Sequence, residues 1–171
     1  MTTAAASTVS EIEVFRHQAG MVQTVVRVNV DGLSQEESLI QPSPGGNCLN
    51  WVVGHLACIY NKVLPMVGQE PVMDAGALKR YDRGAPPIRD AAEALELRDL
   101  LAAFDKATER VVAGLASLSP EALDQKVPES PSGNPNETVR SLLSTIFFHQ
   151  AYHAGQTGIL RRIAGKEGAI R

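Results

Sequence analysis

The sequence has few cysteines and histidines and no excess of basic residues, and each shortage excludes a class of protein. Two cysteines among 171 residues cannot form a disulfide framework, so we expect a reducing, cytoplasmic setting. Lysine and arginine total 16 against 19 acidic residues, without a local basic cluster, which argues against a nucleic-acid partner. With only four histidines, any metal site must be built from a very small set of imidazoles.

Long apolar runs and a leader segment are also lacking. No stretch approaches the ~20 apolar residues of a membrane-spanning helix, so we expect no membrane partner. The first ten residues contain no basic segment followed by an apolar one, and we expect no signal peptide. Hydrophobic residues at 44% and charged residues at 20% favour a soluble chain with a buried core. The length fits one domain over residues 1–171.

Proline is absent from four long segments, and this distribution predicts the architecture. Proline removes a backbone donor and clashes with the preceding turn, so it is excluded from helix interiors. The ten prolines all lie outside residues 1–41, 50–64, 88–119 and 136–171. We therefore predict an all-α protein built as a bundle of four helices.

Apolar spacing and end signals give approximate bounds for these helices. We predict helices over residues 9–30, from a cap at Asn47 to Gly68, over residues 90–117, and over residues 136–164. Residues 24–30 alternate and are β-branched, which also suits a strand, but the longer helical pattern upstream favours a helix. Residues 67–87, rich in proline and glycine, predict a structureless connection that is typical of a lid or an interface arm.

The last helix carries an unbroken seam at alternating steps of four and three residues: Leu142, Ile146, His149, His153, Gln156, Leu160 and Ile163. Polar groups within an apolar seam are destabilising unless something satisfies them. His149 and His153 lie four residues apart on one helix face, close enough to share one ion. The seam therefore indicates either a buried metal site or core histidines that are satisfied by hydrogen bonds.

The second predicted helix supplies a third candidate ligand, His55. Three imidazoles from two helices leave coordination positions open, as in catalytic sites, and imidazole suits zinc, nickel, iron or copper. Gln156, one turn past His153, is a candidate to contact a ligand or to support a metal ligand. No acidic residue lies between His149 and Gln156 to act as a general base, which favours a thiol nucleophile over water.

Other conspicuous residues have simpler interpretations. His17 has no partner at helical spacing and is expected to be structural or exposed, and Cys58 to be a small buried residue. Trp51 and Tyr152 flank the histidines and could line a pocket or pack in the core. The basic segment 79–83 could meet an anionic substrate, although we interpret it as a solvated loop.

Two stretches resemble a known family. Asn50–Leu56, with the sequence N-W-V-V-G-H-L, is similar to the start of the second helix in the DinB/YfiT-like superfamily. Phe148–Gln156 resembles the H-x-x-Y-H-x-G-Q signature of its last helix, and Leu160-Arg161-Arg162 follows as in that family. The two motifs together are specific, and the order of elements matches along essentially the whole chain.

The resemblance implies an up-down-down-up four-helix bundle, with a long crossover between its second and third helices, that forms a homodimer. It also implies one divalent ion, zinc or nickel in our expectation, held by His55, His149 and His153. Characterised branches of the family resemble thiol-dependent transferases or isomerases that use a low-molecular-weight thiol. Many other members are described as metal-dependent hydrolases or stress-inducible proteins.

The leading hypothesis is a metal-dependent enzyme that joins a small thiol to a small electrophile. One alternative is a metal-dependent hydrolase that uses the same site. Others are a non-catalytic metal-binding or ligand-binding bundle of the stress response, and a structural dimer whose histidines no longer have a function. Each of the enzymatic hypotheses requires a small-molecule substrate, which the sequence does not identify.

Overall fold

The computed structural model describes residues 10–128, 130–131 and 133–170, and within these ranges the chain is helical, without strands. Its long helices are α1 (Glu11–Val30), α3 (Leu49–Val63), α5 (Leu97–Ala116) and α7 (Val139–Ile163). Single-turn helices lie between them: α2 (Gln35–Ser38), α4 (Ala75–Leu78) and α6 (Pro120–Leu123). The all-α prediction is confirmed. No helix in the described ranges is long and apolar enough to cross a membrane.

The first helix follows its prediction closely. Ser10 and Glu13 form a capping box, in which each side chain accepts a hydrogen bond from the other residue's backbone N–H. The helix continues to Val30, so the strand alternative for residues 24–30 is wrong. Val26 and Val30 are buried there, and their packing against the bundle outweighs the β-propensity of the segment.

The second long helix begins one residue later than predicted, and a 3-10 turn extends it to the predicted stop. Cys48, rather than Asn47, occupies the cap position of α3, and its side chain makes no capping bond. After α3 a 3-10 turn, Leu64–Val67, leads to Gly68, whose φ of 71° closes the helix in the left-handed region. The predicted stop at Gly68 is therefore confirmed.

Two further helix starts differ from prediction because several polar residues precede each helix. Asp90 caps a separate 3-10 turn, Ala91–Glu93, and the chain is then extended, so α5 begins only at Leu97. Helix α7 begins at Val139, after its cap Thr138, and not at the predicted Asn136. A helix cap is the last residue with an extended backbone before the helical turns begin. Several polar residues near each start could serve as caps, so the sequence alone does not identify the one that does.

Each long helix packs against two others: α1 and α3 both contact α5 and α7. The relative directions of the helices follow from residues that lie against each other: Phe15 with Phe147, Asn29 with Thr157, Tyr60 with Phe104, and Val67, in the turn after α3, with Gly114. In each pair of helices the residue numbers increase together, so α1 runs parallel to α7, and α3 runs parallel to α5. These contacts agree with the up-down-down-up order, which stays a prediction.

The stripe that α7 turns to the core is not the predicted seam. Its buried residues are Leu143, Phe147, Gln150, Ala154 and Thr157, one position away from that seam. In the predicted seam, only the flanking leucines are buried; Ile146, His149, His153 and Gln156 are half-buried and Ile163 is exposed. The seam borders a cleft rather than filling the core. Adjacent stripes share the same spacing, so the pattern could not choose between them.

The connection between α3 and α5 contains regular structure, which corrects the predicted structureless arm. It includes α4 and a 3-10 turn, Lys79–Tyr81. Leu78, Tyr81 and Ile88 are almost completely buried against the bundle. This connection therefore adds apolar side chains to the core, and it brings Tyr81 beside α3.

A pair of glycine substitutions tests this packing. An added Cβ at Gly114 of α5 would lie 2.5 Å from the backbone oxygen of Val67, which cannot move as a flexible side chain would. We expect Gly114→Ala to lower the free energy of unfolding by ~1–3 kcal/mol. The matched control is Gly20 of α1, where an added Cβ has nothing within 4 Å. Gly20→Ala should raise the free energy of unfolding by up to ~1 kcal/mol through helix propensity. Urea unfolding followed by circular dichroism measures both, and equal effects would contradict this packing.

Candidate metal centre

Three histidines converge between α3 and α7. His55 is buried on α3, and His149 and His153 are half-buried one turn apart on α7. One nitrogen from each ring can be chosen so that all three lie within 4.8 Å of one another. His17, the remaining histidine, is exposed on α1 and does not belong to this group.

Nε2 of His55 and Nε2 of His149 lie 3.2 Å apart in this cluster. Two imidazole lone pairs at this separation repel unless a proton or a cation lies between them. Zinc–imidazole bonds of ~2.0–2.1 Å in tetrahedral geometry would put two ligand nitrogens ~3.3 Å apart. The observed spacing therefore fits a shared ion without rearrangement of this pair.

His55 is oriented by the backbone of the crossover connection. Its Nδ1 lies 2.6 Å from the carbonyl oxygen of Tyr81, and the oxygen can only accept, so Nδ1 carries the proton. This leaves the lone pair of His55 on Nε2, the atom that faces the cluster. Trp51 stacks on the ring with centroids 4.7 Å apart, which holds its plane. Such a hydrogen bond from the far ring nitrogen is how proteins commonly orient a metal-binding histidine.

Tyr81 can present that carbonyl because its own side chain is tightly anchored. The ring is fully buried against Gly54, where an added Cβ would lie 2.2 Å from it. The hydroxyl donates to Oδ1 of Asn50 at 3.0 Å and accepts from the backbone N–H of Leu95 at 2.7 Å. Gly54 therefore makes room for Tyr81, and Tyr81 in turn fixes His55.

The two histidines of α7 differ in their partners. Nδ1 of His153 donates to Oε1 of Gln156 at 2.7 Å, which leaves the lone pair of His153 on Nε2. Nδ1 of His149 is buried and has no hydrogen-bond partner among the described residues. A group bound at the cluster would fix which nitrogen of His149 carries the proton.

Burial keeps these imidazoles neutral. Desolvation is the largest cause lowering the pKa of all three rings, and for His149 the neighbouring His153 and His55 lower it further, to about 4. Near neutral pH the cluster is therefore uncharged and offers lone pairs, which is the form that binds a metal ion.

Two clefts meet at His55 and His149. The first, the Trp51 cleft, encloses about 550 Å³ and has walls that include Trp51, Tyr152, His153, Gln156 and Ile159. The second, the Ile146 cleft, encloses about 440 Å³ and has walls that include Ile59, Val63, Met66, Leu142 and Ile146. Arg83 borders both of them. Small molecules could therefore approach the histidines from two sides.

A comparison with known families decides the relationship of this chain. The profile of the DinB superfamily matches residues 19–157, which include all three clustered histidines. The chain belongs to the DinB superfamily. The cluster in this DinB superfamily chain is a possible three-histidine metal site.

The overall fold also resembles that of a solved structure. One similar structure is described as the crystal structure of the conserved protein of locus from Enterococcus faecalis. It is 14% identical with a TM-score of 0.72, and the alignment covers 93% of this chain and 100% of that chain. At this identity the likeness shows the fold alone. No curated protein sequence matches this DinB superfamily chain.

The structure brings the sequence candidates together and adds residues that the sequence did not indicate. His55, His149, His153 and Gln156 all border the Trp51 cleft. The solvated-loop interpretation of residues 79–83 is wrong for Tyr81, which is buried and bonded to His55. The partner is a backbone carbonyl, so no side-chain motif could have indicated it.

Acid titration of the metal-free protein tests the neutrality of the cluster. Because the pKa values of these histidines are lower in the folded than in the unfolded chain, the unfolded chain binds more protons below about pH 6.5. We expect the free energy of unfolding to fall as the pH is lowered from about 7 to 5, before most carboxylates titrate. Urea unfolding at several pH values measures this slope.

Two variants assign that slope to the cluster. His149→Asn removes the ring with the lowest pKa, so its pH slope should be shallower than that of the wild type. His17→Asn changes an exposed histidine outside the cluster and should keep the wild-type slope. A slope unchanged in His149→Asn would contradict this account.

Proposed function

We propose that this DinB superfamily protein is a metal-dependent S-transferase that joins a small thiol to a small electrophile. One divalent transition ion, zinc or nickel, would be held by His55, His149 and His153. The observation that carries the proposal is the convergence of three imidazoles, of which His55 and His149 line both of two separate clefts. A transfer reaction needs room for two molecules beside one centre, and the two clefts provide it.

The donor set fits such an ion. Imidazole nitrogens suit zinc and nickel, and three protein ligands leave at least one coordination position for a substrate. When bound, the ion supplies Lewis acidity that lowers the pKa of a thiol, as zinc does for water. The chain's own contribution is orientation: the Tyr81 carbonyl aims Nε2 of His55, and Gln156 aims Nε2 of His153.

The surroundings favour a thiol over water as the nucleophile. The described residues that line the Trp51 cleft include no acidic side chain to remove a proton from water. Asp82 borders the Ile146 cleft, but Nζ of Lys62 donates to both its oxygens at 2.6 Å and lowers its pKa. Such a carboxylate is a poor proton acceptor near neutral pH. A thiol depends less on a general base than water does, because a fraction of the thiol molecules is already ionised at that pH.

Hydrolysis is the second candidate reaction. The observation that favours it is that Asp82 borders the same cleft as His55. Burial lowers the pKa of His55 overall, and the charge of Asp82 opposes that shift, so the two groups lie within electrostatic reach. If the ion pair with Lys62 opened, the carboxylate could accept a proton from water. The ion pair is partly exposed, and such pairs contribute little stability.

Metal binding is tested first. We expect the purified protein to bind one zinc or nickel ion per chain, measured by elemental analysis and by competition with a chromogenic chelator. Gln156→Ala should weaken binding by the ~10–100-fold typical of an outer-sphere partner. His149→Ala should weaken binding by more than that, because it removes a ligand.

His17→Ala is the matched control, since it removes an exposed histidine from the same chain. It should leave both stoichiometry and affinity unchanged. Full metal content in His149→Ala, or no stoichiometric metal in the wild type after loading, would contradict the proposed site.

Catalysis is tested with the metal-loaded protein, a panel of small thiols and 1-chloro-2,4-dinitrobenzene. The thiol sulfur forms a bond to the ring carbon, chloride leaves, and the thiol proton passes to buffer. We expect at least one thiol to react faster than it does with metal-stripped protein, and His149→Ala to abolish the difference. Absorbance of the thioether product measures the rate.

A parallel assay with p-nitrophenyl acetate and no thiol separates the two candidate reactions. Metal-dependent ester cleavage without thiol transfer would favour the hydrolase. Stoichiometric metal with neither activity would favour a binding protein instead of an enzyme.

A further inference from the structure

Arg83 borders both clefts, directly after the segment that fixes His55. The side chain is exposed, and its Nη1 donates a long hydrogen bond, 3.5 Å, to the backbone oxygen of Pro131. Arg83 makes no ion pair with any described residue. Its charge also contributes to lowering the pKa of His149, so the guanidinium acts on the cluster.

No acidic side chain among the described residues balances the charge of Arg83. Asp82 is the acidic residue among the described residues that line the Ile146 cleft. Both of its oxygens accept from Lys62 at 2.6 Å, and Oδ1 also accepts from the backbone N–H of Arg83 at 2.7 Å. Asp82 therefore neutralises Lys62, and among the described residues of this cleft the guanidinium of Arg83 remains as a net positive charge.

The rest of the Ile146 cleft is mainly apolar. Its wall is formed by Ile59, Val63 and Met66 from α3 and the turn after it, and by Leu142 and Ile146 from α7. At one end lie His55 and His149, and Arg83 borders the same cleft. An apolar wall beside one unpaired guanidinium is complementary to a small molecule with an apolar body and an anionic group.

We propose that the Ile146 cleft selects small apolar carboxylates, and that Arg83 is the residue that recognises their carboxylate. The inference rests on the proposed function, because it assigns this ligand to the cleft as the electrophilic substrate of the transfer. A carboxylate suits Arg83 since a guanidinium can donate two parallel hydrogen bonds to it. The apolar body then lies along Ile59 and Ile146, next to the histidines.

The test uses a matched pair of ligands, 4-phenylbutanoate and 4-phenylbutanamide, with the full-length protein. Titrations followed by the methyl signals of Ile59 and Ile146 in 13C-labelled protein give both affinity and location. We expect the acid to bind about tenfold more tightly than the amide in the wild type, as one charge-assisted pairing would provide. The ratio of acid to amide affinity should fall to about one in Arg83→Gln. Arg83→Lys should give an intermediate ratio, because lysine keeps the charge but cannot donate the two parallel hydrogen bonds of a guanidinium.

Two further variants separate charge recognition from general effects. Arg98→Gln is the control, since Arg98 is also an exposed arginine but lines a different cavity of about 730 Å³ without any of the clustered histidines. It should keep the wild-type preference for the acid. Ile146→Ser should weaken acid and amide by the same factor, because the apolar wall contacts the body that both ligands share.

The inference is overturned if the wild type binds both ligands equally, or if Arg83→Gln keeps the preference. It is also overturned if Arg98→Gln loses the preference as fully as Arg83→Gln. Metal content of each sample, measured in parallel, distinguishes this failure from failure of the proposed function. Stoichiometric metal without acid preference would refute only the role of Arg83, whereas acid preference without metal would refute only the metal-dependent transfer.

Discussion

The hydrogen bond from His55 to the Tyr81 carbonyl is the contact on which the candidate centre depends. It spans 26 residues of sequence, joining α3 to the connection that leads to α5. By placing the proton on Nδ1 it leaves the other ring nitrogen facing His149, 3.2 Å away. Without it, the ring could present either nitrogen, and the three lone pairs would not converge. A backbone carbonyl is suited to this task because it only accepts, so the tautomer is fixed.

The cluster is shaped by a balance between burial and solvation. Full burial would stabilise the bundle but leave polar nitrogens unsatisfied, whereas full exposure would let the imidazoles charge and repel each other. The half-buried positions of His149 and His153, at the border of two clefts, avoid both extremes. Because α7 turns Gln150 and its neighbours to the core instead, the histidines remain accessible to a ligand.

Much of the fold and part of the centre could be predicted from the sequence. Proline-free segments indicated the four long helices, and the spacing of His149 and His153 correctly placed both on one face. Periodicity defines which residues share a face, but not which of two adjacent faces meets the core, so the seam was expected to be more buried than it is. Tyr81 could not be assigned, and Arg83 was considered only as part of a basic segment that could meet an anionic substrate, because their positions depend on tertiary packing of a segment without a periodic pattern.

The contact between Gly54 and Tyr81 couples the sequence of α3 to the sequence of the connection that follows it, because a change at one position must suit the other. Gly54 has no side chain, so the Tyr81 ring can lie against the helix, and its hydroxyl donates to Asn50 of the same helix. The later part of the connection is tied to the same pair, because the backbone N–H of Leu95 donates to the Tyr81 hydroxyl. A chimera that exchanges crossover connections between related bundles must therefore carry residues 54 and 81 from the same parent.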